Sequence, residues 1–435
     1  MKIAILGYGL QGQSVYEYYK NQDNQITICD KDNIQDLPDG VESQIGDTYL
    51  NRLNRFDLIF RSPGIHPYDI VKANDPEILS KVTTSTNEFF KLCPSKNIIG
   101  VTGTKGKGTT STLIAKMLEA CGLNVHIGGN IGIPPLDLLR NNIDSKDWIV
   151  LELANFQLID LKYSPHIATC LMVEPEHLDW HSDVDEYYQA KTQLFRNQKE
   201  EDIAIYYAKN ENSQRIATTS PGKHIPFYQI PGALVAGSHI VIDGIPIVRI
   251  NEIKLLGKHN WQNVCAAVTV VWQIKKDAEA ISSVIREFSG LPFRIELRKE
   301  VNGIKYYDDS FASNPAATIA AIEAIKGSKI LIIGGKDRGL DLNQLVNVIQ
   351  RSNEDIKKVI LIGQAADRIA SDFKQVGYTN FEIVDSSSMD EIVTKASQLA
   401  EDGDNVVLSP GFPSFDMFMN FEDRGVKFNE AIDKL

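Results

Sequence analysis

The run Gly103-Thr104-Lys105-Gly106-Lys107-Gly108-Thr109-Thr110 sets three glycines, two lysines and three hydroxyls in eight positions. Glycines let successive backbone N–H groups turn toward one anion, and a lysine adds a point charge for the outer phosphates of a nucleotide. The apolar pair Ile98-Ile99 precedes the run and the pattern Thr112-Leu113-Ile114-Ala115-Lys116-Met117-Leu118 follows it, so the loop stands between a strand and a helix. That is the setting of a phosphate-binding loop, with ATP as the implied ligand and Lys107 on its phosphates. Gly108 fills the position where Ser or Thr commonly ligates Mg2+, so that role passes to Thr109 or Thr110.

Carboxylate and imidazole groups stand further on. Glu152 ends the apolar run Trp148-Ile149-Val150-Leu151, and Glu174-Pro175-Glu176-His177-Leu178-Asp179 follows an apolar segment over 167–173. Side chains at the carboxyl edge of a parallel sheet lie where ligands bind. Glu152 and His177 are therefore candidates to share Mg2+ beside the phosphates, although histidine is an unusual partner for that hard ion. The pattern over 185–195 predicts an amphipathic helix, on which Lys191 reads as a solvated surface lysine.

These groups need a scaffold, and the first third alternates short β-rich runs with helical patterns. Lys2 to Leu6 predicts a strand, Gly7-Tyr8-Gly9-Leu10-Gln11-Gly12 a tight turn, Ser14 to Lys20 a helix, and Gln25 to Cys29 a second strand ending at Asp30. This fingerprint lets a pyrophosphate approach the backbone while the acidic residue reaches a ribose. Alone it indicates NAD; with a kinase-like loop downstream it better fits a UDP-type pyrophosphate. Arg61-Ser62-Pro63-Gly64-Ile65, after a strand over 56–60, is the next element of that pocket, or a simple Pro-Gly turn. Runs at 329–333, 357–362 and 405–408 alternate with helical patterns and predict another α/β unit. The expected architecture is α/β in three domains: a Rossmann-like domain over 1–92, a central P-loop domain over 93–297 and a C-terminal Rossmann-like domain over 298–435.

Composition excludes several classes. A chain of 435 residues, 43% hydrophobic, can bury several cores. A net charge of -12 with no basic block argues against nucleic-acid binding. Five scattered cysteines without Cys-x-x-Cys spacing argue against disulfides and structural zinc and for a cytoplasmic setting. No leader pattern and no bilayer-length apolar run is present, which predicts neither secretion nor membrane insertion.

Taken together, the loop Gly103 to Thr110, the segment Leu151-Glu152-Leu153-Ala154-Asn155-Phe156-Gln157-Leu158 read as a strand, Glu176-His177-Leu178-Asp179, Tyr188-x-x-Lys191 and Gly257-Lys258-His259-Asn260-x-x-Asn263 resemble the Mur ligases of peptidoglycan synthesis. Gly290 to Glu296, Asp308-Asp309-Ser310, Asn314, Leu408-Ser409-Pro410, Ser414-Phe415-Asp416 and Asn420-Phe421-Glu422-x-Arg424-Gly425 extend the resemblance to the end of the chain.

The resemblance implies an ATP-dependent, ADP-forming acid–amino-acid ligase. It would act through an acyl phosphate and add D-glutamate to UDP-N-acetylmuramoyl-L-alanine in a cytoplasmic pathway serving cell wall, cell shape and cell division. It further implies that Lys107, Glu152, His177 and Lys191 are catalytic, and that Thr109, Glu152, His177 and a carbamylated Lys191 hold two Mg2+ ions; His177 instead orients substrate in a second version. ATP would be contacted by Gly103, Thr104, Lys105, Gly106, Lys107, Gly108, Thr109, Thr110, Asn260, Asn263, Arg294 and Asp309. The acceptor and glutamate would be contacted by Leu10, Gln11, Asp30, Gly64, Asn130, Ser313, Arg338, Ser414 and Phe421, in a monomer without nucleic-acid or membrane partners. Two departures from the family pattern fall in the amino-acid pocket: Phe311 and Ser313 replace a lysine and a threonine, and Arg338 replaces a lysine. Arg338 still suits a carboxylate. L-glutamate, or the folate-type acceptor of folylpolyglutamate synthetases, whose P-loop is similar, are the alternative substrates.

Overall fold

A computed structural model describes residues 1–34, 37–130, 132–255 and 257–435. Its contacts divide the chain into two compact units, Met1–Ile253 with Lys258–Glu287, and Lys254–Gly257 with Phe288–Leu435.

The first unit begins with five parallel strands, β1 (Lys2–Leu6), β2 (Gln25–Asp30), β3 (Glu42–Ile45), β4 (Leu58–Arg61) and β5 (Val82–Thr83), in the order β3-β2-β1-β4-β5. Ile3, Ala4, Ile5 and Leu6 are all buried, the near-continuous apolar run of a parallel strand covered on both faces. Strands are added on one side of β1 and then, from β4, on the other. A crevice therefore opens beyond the carboxyl ends of β1 and β4. The glycine turn after β1 and the Ser62–Ile65 turn after β4 meet there, with the Ser62 hydroxyl donating to the Gly7 carbonyl at 2.8 Å.

The second sheet has β6 (Ile98–Thr102), β7 (Val125–Gly129), β8 (Trp148–Glu152), β9 (Ile167–Cys170), β10 (Ile203–Tyr207) and β11 (Lys223–Phe227), all parallel, in the order β11-β10-β9-β6-β8-β7. Central β6 feeds the phosphate-binding loop, and β8 on its flank ends at Glu152. A small antiparallel sheet of β12 (Leu234–Ala236), β13 (His239–Ile242) and β14 (Ile245–Arg249) follows.

A buried ion pair joins the first two sheets within this unit. The Arg61 side chain is 0% exposed, and its Nε and Nη2 each donate to the Asp160 carboxylate at 2.7 Å. Its remaining donors go to the carbonyls of Ile65 at 2.8 Å and Phe156 at 2.9 Å. A planar five-donor fork satisfied this fully suits burial. Apolar packing runs the same way: Leu136, from beyond the second sheet's first strands, completes a cluster with Ile3, Ile5, Val15 and Phe60.

The second unit carries β15 (Glu296–Val301), β16 (Ile304–Asp308), β17 (Lys329–Gly334), β18 (Ile356–Ile362), β19 (Phe381–Ile383) and β20 (Asn405–Leu408). Their order is β15-β16-β20-β17-β18-β19, parallel except for the β15–β16 pair. Strand alternation is explicit in β17, whose Leu331 and Ile333 enter one core and Ile330 and Ile332 the other. The α/β class and the parallel strands are those expected from the sequence.

One segment differs from expectation. Leu151 to Leu158 is not a single strand: β8 stops at Glu152, and Asn155–Leu158 is a helical turn. The Gln157 side-chain oxygen accepts the Ala154 N–H at 3.0 Å, satisfying locally a donor that a strand would have paired with its neighbour.

Removing either partner of the Arg61–Asp160 pair leaves a charge without its counterion. Arg61→Ala is expected to lower unfolding free energy by about 3 kcal/mol, the low end for breaking a buried pair. Urea unfolding measures it, and a loss below about 1 kcal/mol, typical of surface pairs, would show that the pair does not hold the two sheets together.

Candidate active site

The phosphate-binding loop is built as its sequence requires. The helix Lys107–Ala120 starts at Gly106, which has φ 86°, carries no side-chain cap and has no acidic residue in its first turn. Its positive end is thus free for an anion. A Cβ on Gly106 would stand 2.3 Å from Asn263 Oδ1, so glycine is needed both for conformation and for close approach. Asn263 in turn donates to Asn260 Oδ1 at 2.8 Å, and both sit at the start of the helix His259–Trp272. The fold therefore brings Asn263, and through it Asn260, against a loop that is distant in sequence.

The loop residues divide by role. Thr104 is fixed: its hydroxyl donates to the Glu174 carbonyl at 2.9 Å, accepts the Glu174 N–H at 2.9 Å and meets the Tyr187 hydroxyl at 2.8 Å. Lys105 is exposed, and Gly108 and Thr109 are buried in the first helical turn. Thr110 is 0% exposed, and its hydroxyl makes no hydrogen bond among the described residues.

Two ammonium groups converge on one carbonyl. Lys107 Nζ donates to the carbonyls of Gly103 and Thr104, each at 3.1 Å, and Lys191 Nζ donates to Gly103 O at 3.1 Å. Lys191 is not the solvated lysine its helix pattern suggests: it is 1% exposed and lies 4.6 Å from the centre of the Tyr187 ring. Burial, reinforced by the charge of Lys107, pulls its pKa down to about 7.

Across the loop, the end of β8 presents Glu152, 4% exposed, whose Oε1 accepts from Asn130 Nδ2 at 3.2 Å. Asn130 is placed there by backbone pairing, its N–H donating to Glu152 O at 2.8 Å. His177 has φ 58°, an uncommon conformation for a residue other than glycine, and its ring packs on Phe156 at 4.8 Å. Burial lowers the His177 pKa against the pull of Glu176, and Lys107 and Lys191 lower it further. The imidazole is thus favoured in its neutral, metal-competent form. Loop cradle, uncapped helix end, two buried or half-buried lysines, a buried carboxylate and a neutral imidazole fit a nucleotide triphosphate with a divalent ion.

In the crevice of the first sheet, Leu10 is 73% exposed and the Gln11 side chain hydrogen-bonds Ser85. Asp30 accepts the Tyr8 N–H at 2.7 Å and the Asp32 N–H at 3.1 Å, so it braces the glycine turn. Gly64 O accepts from Trp180 Nε1 at 3.2 Å. Among the described residues, His66, His181 and Glu186 bring their ligand-type atoms within 4.8 Å of one another. His66 Nδ1 accepts the Tyr68 N–H at 3.1 Å, so Nε2 holds the proton and donates it to Glu186 at 3.2 Å. These contacts make the group a hydrogen-bonded network.

The second unit holds the remaining candidates. Asp309 is 3% exposed and accepts from Ser409 Oγ at 2.6 Å and from the Ile295 N–H at 3.2 Å; burial pushes its pKa up to about 7. Arg294 lies with its guanidinium 4.9 Å from the Phe311 ring centre, and Phe311 meets Phe421 edge-on at 5.0 Å. Ser414 is buried, while Arg338 is exposed and 6.0 Å from the Phe415 ring. Ser313 is exposed just before Asn314, which caps the helix Pro315–Ala324. Phe311 thus joins Arg294 to Phe421, and no described contact joins Ser313 to Arg338. Sequence reasoning did not single out Asp160, Trp180 or His181; the dense aromatic and histidine content of 177–181 was the signal available.

The fold and site define a P-loop enzyme of ligase type. Family models cover most of the chain: the Mur ligase MurD-like N-terminal domain over residues 1–78, the Mur ligase middle domain over 101–271 and the Mur ligase glutamate ligase domain over 293–412. The chain belongs to the Mur ligase family. It is 34% identical over its whole length to the UDP-N-acetylmuramoylalanine–D-glutamate ligase of Ruminiclostridium cellulolyticum, covering 97% of that protein, and 36% identical to the enzyme of the same name from Acetivibrio thermocellus, covering 96%. Among solved structures it is similar in fold to MurF of Acinetobacter baumannii, with TM-score 0.64, 15% identity and coverage of 99% and 93% of the two chains. MurF of Thermotoga maritima in complex with ADP gives TM-score 0.59 at 15% identity, with coverage of 99% and 95%. No helix of the described residues is long and apolar enough to cross a membrane.

The depressed Lys191 pKa has a thermodynamic consequence. Between about 7 and the ordinary 10.5 the unfolded chain holds a proton on this amine that the folded protein has lost. Stability therefore rises with pH across that window, and below it the full cost of burying the ammonium is present. Unfolding free energy in CO2-free buffer should climb less steeply with pH over this window in Lys191→Met than in the wild type, and identical slopes would place the Lys191 pKa in the ordinary lysine range.

Proposed function

We propose that this chain is an ATP-dependent ligase that adds D-glutamate to UDP-N-acetylmuramoyl-L-alanine in peptidoglycan precursor synthesis. What carries the reading is the convergence of Lys107 and Lys191 on the phosphate-loop carbonyl of Gly103, in a chain matched end to end by D-glutamate ligases. Residues 1–78, matched by the MurD-like N-terminal family model, also favour it over a folate-type acceptor. The E. coli FolC structure, in complex with DHPP and ADP, aligns with only 80% of this chain.

The chemistry follows from the acceptor. A carboxylate is a poor acylating agent because oxide would have to leave. Its oxygen attacks the γ-phosphorus of ATP, ADP leaves, and the resulting acyl phosphate is open to an amine. The glutamate amine adds to the acyl carbon, loses a proton, and expels phosphate through a tetrahedral intermediate. Lys107 leaves its two loop carbonyls to follow the charge on the transferring phosphoryl group. Gly103 to Thr110, with Asn260 and Asn263, cradle the nucleotide; Arg294 and Asp309 complete its contacts. Mg2+, when bound, would offset phosphoryl charge, and Thr109, Glu152, His177 and, once carbamylated, Lys191 would hold it.

Lys191 gains a role from its burial. A neutral amine that attacks CO2 forms a carbamate and releases one proton, which would turn this buried cation into an anionic oxygen ligand. A pKa near 7 leaves the amine reactive at neutral pH. Leu10, Gln11, Asp30, Gly64 and Asn130 take the UDP-sugar end of the acceptor. Arg338, Ser313, Ser414 and Phe421 take glutamate. The enzyme acts as a cytoplasmic monomer without nucleic-acid or membrane partners, in a pathway on which cell shape and division depend.

Phosphate release with ATP, Mg2+ and UDP-N-acetylmuramoyl-L-alanine, run with D-glutamate and L-glutamate in parallel, tests the reading. Turnover with D-glutamate alone is expected, and Lys107→Ala should lower kcat by about 100-fold or more. Turnover with L-glutamate alone would reassign the pocket around Phe311, and silence with both would defeat the assignment.

A further inference from the structure

We propose that Trp180 is a positioning residue through which the Ser62–Ile65 turn holds the imidazole of His177 in place. The proposal rests on the reading above, in which Gly64 touches the acceptor and His177 the metal. His177 is in the left-handed region at φ 58° without being glycine, a conformation that persists only where surroundings enforce it. The enforcement is visible. His177 O accepts the N–H groups of Trp180 at 3.1 Å and His181 at 3.0 Å, closing a tight turn. The Trp180 indole anchors that turn, donating from Nε1 to Gly64 O at 3.2 Å.

The rings continue the contact. Trp180 packs against His66 at 4.4 Å, His181 at 4.7 Å and Phe156 at 4.8 Å, and Phe156 packs on His177 at 4.8 Å. His181 fixes the far side of the turn: its Nδ1 meets Glu186 Oε2 at 3.1 Å and its Nε2 meets Asn155 Nδ2 at 2.8 Å. Glu186 lies on the helix that bears Lys191, and Asn155 follows β8, which bears Glu152. The turn is thus held to the metal side by hydrogen bonds of its own, and the indole N–H is its direct hydrogen bond to the Gly64 carbonyl. An indole nitrogen only donates, so replacing Trp180 by Phe keeps a ring for packing and removes that one bond.

Two measurements decide the matter. The first is the ring resonances of His177, assigned by their loss in His177→Ala, in ligand-free protein. They should shift in Trp180→Phe and in Phe156→Leu while those of His126 stay in place; an unmoved His177 signal in both variants would overturn the proposal, whatever the substrate. The second is kinetic. Trp180→Phe should lower kcat/KM for the acceptor by about tenfold with the KM for ATP unchanged, and by less than about twofold in a His177→Ala background. An undiminished effect in that background would mean that Trp180 acts on the fold and not through His177. A wild-type protein inactive toward this acceptor would sink the functional reading and leave the resonance test standing.

Discussion

Two ammonium groups directed at one peptide oxygen, that of Gly103, set the terms for the rest of the first unit. Lys107 must stand there because the helix N-terminus it opens is where phosphate charge will arrive. Lys191 stands there because its helix, Val184–Arg196, buries an apolar face that includes Tyr187, Leu194 and Phe195 and carries the lysine inward with them. Burial, with the charge of Lys107 added to it, lowers the pKa of the more deeply buried amine, and burial together with the two lysines lowers that of the nearby imidazole. A nucleotide's phosphates are the natural partner for such a cluster.

Much of this was legible in the residues. Strand limits for β1, β2 and β20 fall where apolar runs and turn residues put them, because parallel strands buried on both faces leave a plain signature. The phosphate loop was legible because its glycines, lysine and hydroxyls have few other uses in that order. The break after Glu152 was not, since Leu153 to Leu158 has strand-like hydrophobicity, and the helical turn is held by backbone bonds to Ala154 O together with the Gln157 side chain bonding to Ala154 N. The burial of Lys191 was hidden for a similar reason: a helix face is read from its neighbours, and a lysine on the buried face looks like an irregularity. Trp180 and His181 were invisible as functional elements because their meaning depends on Gly64 and Glu186, which no local spacing links to them.

The second unit shows how a departure from a family pattern can be locally consistent. Phe311 gives Arg294 an aromatic face where a lysine would have set a second cation beside it. Phe421, edge-on to the same ring, accepts at its carbonyl from Ser310 Oγ, and the buried Arg424 donates to that serine at its hydroxyl and carbonyl. The Phe311 ring is thus embedded in its surroundings, between Arg294 and Phe421.

The Arg61–Asp160 pair carries an evolutionary implication. Each residue, taken alone, is a buried or half-buried charge that the fold tolerates only because the other is present. A lineage cannot trade them one at a time without passing through a protein that carries an orphaned charge between its first two sheets. The two positions are therefore expected to change together and not singly.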